Sequence, residues 1–264
     1  MRSYGKIIGI GVLVIAIIGI GLYYYFYERP AKAPPLTGQP AEKLEEKAPL
    51  EKEVPFILLP SLNDSDEWLR QKAKDLSTYP KLIEWLRIND LIRRITAAVD
   101  NIADGMSPRS HLRFLAPSKS FRVVKKGEKF FLNPQSYRRY DLVADGLASL
   151  DAGGTIQIFR QLKPLFQEAY RELGYPNQDF QETLIRAIKE LLGTPIVGGD
   201  IAVAEGVISY HMLDEELEDL SDAQKHLLRM GPQNTQKIQN KLREMALALS
   251  VPENQLPKPQ VHGK

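Results

Sequence analysis

The sequence contains no cysteine. This absence excludes disulfide bonds, thiolate-bound metal ions, a redox-active dithiol and a cysteine nucleophile. A large net charge is also lacking, because 35 Lys and Arg residues stand against 33 Asp and Glu residues, a net charge of +2. So nearly neutral a chain gives no general reason to expect nucleic-acid binding. The overall composition is typical of a globular protein, because 43% of the 264 residues are hydrophobic and 26% are charged.

Strong catalytic signatures are lacking as well. The sequence has no Walker loop, GxSxG, HExxH, EF-hand loop or paired CxxC motif. One local cluster, His211 with Asp214 and Glu215, contains metal-ligand residue types. Acidic side chains are favoured at the start of a helix by its dipole, and we expect these acids to begin a helix rather than to bind a metal. We therefore predict no catalytic residue, metal or cofactor.

A long uncharged run lies near the N-terminus. Residues 7–26 form twenty consecutive positions without a charge, and this run ends in a cluster of aromatic residues at 23–27. About 20 apolar residues let a helix cross a bilayer, and aromatic rings favour its interface. Residues 1–27 are thus predicted to be a single-pass transmembrane anchor through which the chain contacts the lipid bilayer. The alternative is a signal peptide cleaved after Ala33, which we disfavour because signal cores span only about 7–15 residues.

The charges that flank this run predict its orientation. Arg2, Lys6 and the terminal amine precede it, whereas Arg29 and Lys32 follow it. By the positive-inside rule, this small bias places the N-terminus in the cytoplasm and the bulk of the chain in the periplasm of a bacterial inner membrane. Residues 28–55 contain six prolines, six acids and five bases, and we predict a linker with no core.

Residues 56–250 are predicted to form one mainly helical globular domain with one or two small β-hairpins, and 251–264 a loose C-terminal tail. Pro164 should kink one helix or mark its true start. The hairpin strands are expected at 120–124 with 128–132 and, more weakly, at 201–203 with 207–210. Apolar periodicity and capping residues predict helices at 68–76, 82–86, 91–102, 134–150, 162–173, 180–192, 222–230 and 238–249.

The near-neutral total conceals two oppositely charged segments. Residues 81–139 contain thirteen bases and five acids, a net charge of +8, whereas residues 140–230 contain seven bases and sixteen acids, a net charge of −9. Either the two segments pack together and neutralise each other, or a basic face around the first hairpin docks on anionic lipid headgroups or an acidic protein. The candidate basic face consists of Arg113, Lys119, Arg122, Lys125, Lys126 and Lys129.

A second candidate site is the polar run that follows Tyr137. Its residues are Arg138, Arg139, Tyr140 and Asp141. An arginine there can bind a carboxylate or phosphate through two parallel hydrogen bonds. The alternative is structural, with Arg139 paired to an acid of the acidic segment.

Several sequence motifs taken together resemble a known family. These motifs are LPSLNDSD (59–66), VDNIADG (99–105), YRRYD (137–141), PLFQEAYRELGYP (164–176), LLGTP (191–195) and QKHLLRMGPQN (224–234). With them the chain is similar to an uncharacterised bacterial family, the domain-of-unknown-function family numbered 3014. The resemblance implies an envelope protein with an N-terminal anchor and one domain, and it supplies no activity, substrate or cofactor.

Two function classes remain from the sequence. The favoured one is a non-enzymatic, membrane-anchored envelope module that binds or scaffolds a protein partner through its domain. The alternative is an envelope enzyme acting on a small anionic or cell-wall-derived substrate at Arg139, Tyr140 and Asp141. The sequence does not predict the oligomeric state.

Overall fold

A computed structural model describes residues 59–206 and 209–263. The predicted membrane anchor at 1–27 and the linker at 28–55 lie outside these residues. Among the described residues, no helix is both long enough and apolar enough to cross a membrane.

Helices dominate the described part of the chain, and the predicted combination of a mainly helical domain with a small antiparallel sheet is confirmed. The strands are β1 (Val123–Lys126), β2 (Lys129–Leu132), β3 (Ile196–Val197), β4 (Ala202–Glu205), β5 (Tyr210–Met212) and β6 (Val261–His262). The helices are α1 (Ser65–Ala73), α2 (Pro80–Trp85), α3 (Leu91–Ala103), α4 (Pro134–Tyr137), α5 (Asp141–Ala148), α6 (Ala152–Glu172), α7 (Phe180–Leu192), α8 (Glu215–Glu218), α9 (Asp222–Leu228) and α10 (Pro232–Ala248).

The main core lies between α3, α6, α7 and α10. Phe159, Phe166 and Tyr170 project from α6 at helical spacing and meet Phe180, the first residue of α7. The Phe166 and Phe180 rings stack with centroids 5.4 Å apart. These aromatic side chains bury most of their surface, so the contact between α6 and α7 fixes the centre of the helical body.

Helix α6 begins earlier than the periodicity predicts. We expected a helix at 162–173, with Pro164 either kinking it or marking its start, but α6 runs from Ala152 to Glu172 and contains Pro164 in its interior. The Asp151 side chain caps its first turn by accepting a hydrogen bond from the Gly154 backbone N at 2.8 Å. Two glycines in that turn lower the helix propensity, so the sequence pattern does not reveal that α6 starts at Ala152.

The predicted helix at 134–150 is interrupted. It consists of α4, a 3₁₀ turn at Arg138–Tyr140 and α5. This turn changes the direction in which successive side chains point between Tyr137 and Asp141. It therefore determines which residues of the polar run face the same surface.

The two predicted hairpins join into one four-stranded antiparallel sheet in the order β1-β2-β4-β5. Phe130 pairs with Val203, which connects the hairpins through β2 and β4. Gly127, with φ of +62°, occupies the tight turn between β1 and β2. One sheet face buries Leu132, Val203 and Met212 in a second, smaller core.

The C-terminal segment differs from the expected loose tail. Val251 and Leu256 are buried, and the Ile196 backbone N donates a hydrogen bond to the Gln260 carbonyl at 2.8 Å. Strand β6 then pairs in parallel with β3. The expectation of a loose tail is therefore wrong up to residue 263. The proline content of this segment suggests a loop, but two buried apolar side chains and the pairing of β6 with β3 fix its position.

Asp66 connects α1 to the start of α3. Its carboxylate accepts hydrogen bonds from the backbone N of Asp90 at 2.8 Å and of Leu91 at 2.9 Å. We expect Asp66→Ala to lower the free energy of unfolding by about 1–2 kcal/mol, the usual cost of losing a helix cap, measured by urea denaturation. Asp64→Ala is the control, because the Asp64 carboxylate bonds only the neighbouring Ser61 hydroxyl among the described residues. Equal losses in the two variants would contradict the capping role.

Candidate functional site

A cleft of about 610 Å³ lies where the sheet, the α4–α5 segment and the start of α10 meet. Its walls combine apolar surface with charged side chains. The residues that matter for its chemistry are Tyr137, Arg138, Asp141, Asp200, Met230 and Asn234.

The start of α10 is built around Gly231 and Pro232. Gly231 adopts φ of +88°, a conformation that favours glycine, and Pro232 occupies the first helical turn, where its missing N–H costs no hydrogen bond. A Cβ atom on Gly231 would lie 2.4 Å from Cγ of Tyr137. The glycine thus lets the Tyr137 ring pack directly against the turn and form one wall of the cleft.

Asn234 joins three segments at the cleft. Its side chain is 2% exposed. The Nδ2 atom donates hydrogen bonds to the carbonyls of Met230 at 3.0 Å and Tyr137 at 3.1 Å, and to Oδ1 of Asp141 at 2.9 Å. Its Oδ1 atom is buried and accepts no hydrogen bond from the described residues. Three acceptors around Nδ2 fix the amide orientation, which leaves Oδ1 as a buried acceptor without a donor among the described residues.

Both signs of charge occur in the cleft. Asp141 and Asp200 supply carboxylates, and Asp200 also forms an ion pair with Lys126. Burial, together with the negative charge of Asp200, raises the pKa of the Tyr137 phenol. Arg138 is exposed and forms no hydrogen bond or ion pair with any described residue. Its guanidinium group is available to a ligand.

The structure separates the four residues of the predicted polar site. Arg138 and Asp141 line the cleft, whereas Arg139 and Tyr140 do not. Arg139 donates hydrogen bonds to the carbonyls of Ser136 at 2.9 Å and Lys119 at 3.0 Å, and its guanidinium lies over the Tyr140 ring at 5.2 Å. Its partners in the described structure are carbonyl groups and aromatic rings rather than an acid.

Sequence reasoning missed three contributors to the cleft. Asn234 and Gly231 lie in the QKHLLRMGPQN motif, and Asp200 follows a pair of glycines. A Gly-Pro pair before an apolar stripe does indicate a helix start. No local signal indicates that this helix start meets Asp141, because 93 positions separate Asp141 from Asn234.

The predicted basic face is accessible to solvent. All six of its side chains are exposed, and among them only Lys126 forms an ion pair with a described carboxylate. Lys125 lies 5.9 Å from the Phe130 ring centroid. Within the described ranges, the ion pairs that join the two oppositely charged segments are Arg93–Glu172 and Lys126–Asp200. Direct pairing between the segments thus leaves most of the basic face without a carboxylate partner.

The acidic residues after His211 act as a helix start, as predicted. Asp214 precedes α8, and its side chain accepts a hydrogen bond from the Leu217 backbone N at 3.3 Å. A hydrogen bond with His262 lowers the pKa of Asp214. In the ranges that the structure describes, no group of three His, Asp or Glu side chains is arranged to hold a metal ion.

His226 should make the stability of the domain depend on pH. Burial, reinforced by the positive charges of Arg109 and Arg229, lowers its pKa from 6.5. As pH falls, the imidazole of His226 is protonated in the unfolded chain before it is protonated in the folded protein. Protonation then favours the unfolded state, so the free energy of unfolding should fall as pH drops through about 6.5 towards the lowered pKa. We expect His226→Gln to reduce this slope in chemical denaturation at several pH values between about 7 and 5.

The exposed His211 provides the control for this experiment. His211→Gln should leave the pH dependence unchanged. A slope that persists in His226→Gln would show that other groups cause it.

Comparisons with known proteins agree with the resemblance seen in the sequence. No curated protein and no solved structure matches the chain. A family model described as "Protein of unknown function (DUF3014)" matches residues 91–246, a span that includes the whole cleft. Because this match covers more than half of the 264 residues, the chain belongs to the DUF3014 family.

Proposed function

We propose that the chain is a membrane-anchored module of the bacterial envelope whose helical domain binds an acidic protein partner. Residues 7–26 cross the inner membrane with the N-terminus in the cytoplasm, and the domain lies in the periplasm. The uncharged run and its flanking bases support this arrangement. The observation that carries the binding function is the basic face, in which six exposed side chains have a single carboxylate partner among the described residues.

A protein partner fits this face better than the lipid surface does. A linker of 28 residues would reach about 30 Å if it behaves as a random coil, as its composition predicts. The surface potential of a membrane falls off within about 10 Å, so the headgroup charge would act on the basic face for only part of the time. An acidic protein in the periplasm would instead meet the basic face directly, and complementary charge would speed its association.

The test reverses three charges of the basic face in the full-length chain. We expect Arg122→Glu, Lys125→Glu and Lys129→Glu together to reduce in-cell crosslinking to the partner by about tenfold or more, since each 1.4 kcal/mol lost weakens binding tenfold. Crosslinked proteins are identified by mass spectrometry. The matched control reverses Lys74, Arg87 and Lys258, which are exposed and form no side-chain ion pair with described residues.

Three outcomes would overturn the proposal. They are recovery of no specific partner, an equal loss in both triple variants, and complexes that resist rising salt. Binding of the domain to phosphatidylglycerol vesicles with no captured protein would assign the basic face to lipid instead.

The proposed topology predicts the activity of a reporter fusion. Alkaline phosphatase folds with its disulfides in the oxidising periplasm. We therefore expect a C-terminal fusion to be active in intact cells and inactive when residues 1–27 are deleted. An inactive full-length fusion would contradict the orientation.

A further inference from the structure

The cleft beside α10 has features that the basic face does not explain. We propose that it binds a short zwitterionic peptide, with its ammonium group towards Asp141 and Asp200 and its carboxylate at Arg138. This second site adjoins the basic face at the Lys126–Asp200 ion pair but does not depend on the proposed protein partner.

The first argument is the unsatisfied carbonyl of Asn234. A buried acceptor without a donor is unfavourable. Asn234 contributes to the cleft wall with 2% exposure, and its Oδ1 is shielded from solvent and finds no donor among the described residues. A ligand N–H group that enters beside Asn234 supplies this donor only by displacing the side chains that cover Oδ1.

The second argument is the arrangement of charge. Asp141 uses Oδ1 to accept a hydrogen bond from Asn234, and Oδ2 has no partner among the described residues. Asp200 is half-exposed and shares its charge with Lys126. Arg138, with no partner in the described structure, offers two parallel hydrogen bonds to a carboxylate. A ligand that carries both an ammonium and a carboxylate group would pair with the acidic side chains and with Arg138. A simple anion or cation would leave one of these two kinds of charge without a partner.

The third argument is the pair of glycines in the cleft wall. Neither Gly198 nor Gly199 has a positive φ, and a Cβ atom added to either would meet nothing within 4 Å. Backbone conformation and packing of the described residues therefore do not require glycine at these positions. Glycine does allow a ligand main chain to approach the protein backbone closely.

The size of the cleft favours a short peptide. Its volume of about 610 Å³ falls within the range of about 300–1,000 Å³ typical of small-molecule sites. Met230 provides apolar surface for ligand side chains. An isolated acetate or ammonium ion would leave most of this volume and surface unused.

The test uses the full-length chain in detergent micelles. Equilibrium dialysis against an equimolar mixture of L- and D-dipeptides, read by mass spectrometry, selects the tightest binder for calorimetric titration. We expect Arg138→Gln to weaken binding of this dipeptide by about tenfold, a loss of 1.4 kcal/mol. The same variant should no longer prefer the dipeptide with a free carboxylate to the one with a C-terminal amide. We expect Asp200→Asn to abolish the preference over its N-acetyl form, and Gly199→Val to block binding.

Matched variants separate the site from general effects. Arg122→Gln removes an exposed arginine outside the cleft, and Gly153→Ala adds a methyl group in α6 where only Asp151 lies within 4 Å. Both should bind as the wild type does, and so should the triple reversal of the basic face.

Several results would overturn the proposal. They are retention of no dipeptide at millimolar concentration, equal binding of the capped and free forms, and equal effects of Arg138→Gln and Arg122→Gln. Because the basic-face variant is tested separately, failure here leaves the proposed function standing.

Discussion

Replacing Phe180 with Ala is expected to lower the free energy of unfolding by about 3–5 kcal/mol, the usual cost of removing a buried Phe side chain. Phe180 is 1% exposed. Its ring stacks on Phe166 and lies 5.5 Å from the Tyr170 ring and 6.2 Å from the Phe159 ring. The vacated space lies between two long helices, and their backbones cannot close it without breaking other contacts.

Urea denaturation followed by circular dichroism measures this effect. Phe180→Leu keeps most of the volume and should cost less than half as much. Leu173→Ala, at a position that is 43% exposed, should change stability by less than about 0.5 kcal/mol. A Phe180→Ala loss close to that of Leu173→Ala would mean that α6 and α7 do not form the main core.

Gly231→Ala should cost about 2–4 kcal/mol. Two effects add: the positive φ of +88° strains any L side chain by about 1 kcal/mol, and the new methyl group overlaps the Tyr137 ring, which adds about 1–3 kcal/mol. The overlap includes the Tyr137 Cβ at 2.6 Å, which the backbone of α4 holds in place, so rotation of the ring alone cannot relieve it. Thermal and urea unfolding of the purified protein provide the measurement.

A second glycine isolates the contribution of the overlap. Gly174 has φ of +105°, but a Cβ atom there would meet nothing within 4 Å. Gly174→Ala should therefore show the backbone strain alone, about 1 kcal/mol. Combining Gly231→Ala with Tyr137→Gly, which removes the overlapping Cβ as well as the ring, should recover more than 1 kcal/mol of coupling, about the range for residues in contact. If the two glycine variants lose equal stability, the ring does not restrict residue 231.

The helices were largely predictable because their information is local. The apolar stripe of Leu91, Ile95 and Ala98 specifies α3 without reference to the rest of the chain. Where local signals conflict, prediction fails. Pro164 disfavours a continuous helix, yet α6 passes through it. The burial of Ile156 and Phe159 on one face of α6 stabilises the helix on the N-terminal side of this proline. Tertiary packing decides such cases, and sequence periodicity does not report it.

The candidate site was only partly predictable. Residue type alone identified Arg138 and Asp141 within the polar run. Arg139 lies in a 3₁₀ turn and does not line the cleft, because its guanidinium group lies over the Phe121 ring instead. The cleft also needs Asn234 and Gly231 from a helix distant in the sequence. Only the folded chain brings these groups together, so chemical composition alone could suggest a polar site but not its members.

Strand β1 forms an edge of the four-stranded sheet, and this position gives the basic face a further consequence. Exposed strand edges can recruit another strand and start aggregation, and charged lysines there prevent such pairing. Lys125 and Lys126 lie on this edge. Neutral replacements such as Lys125→Val would therefore lower solubility as well as the proposed partner binding. Replacement by Glu keeps a charge on the edge, so a loss of binding in that variant would not arise from self-association.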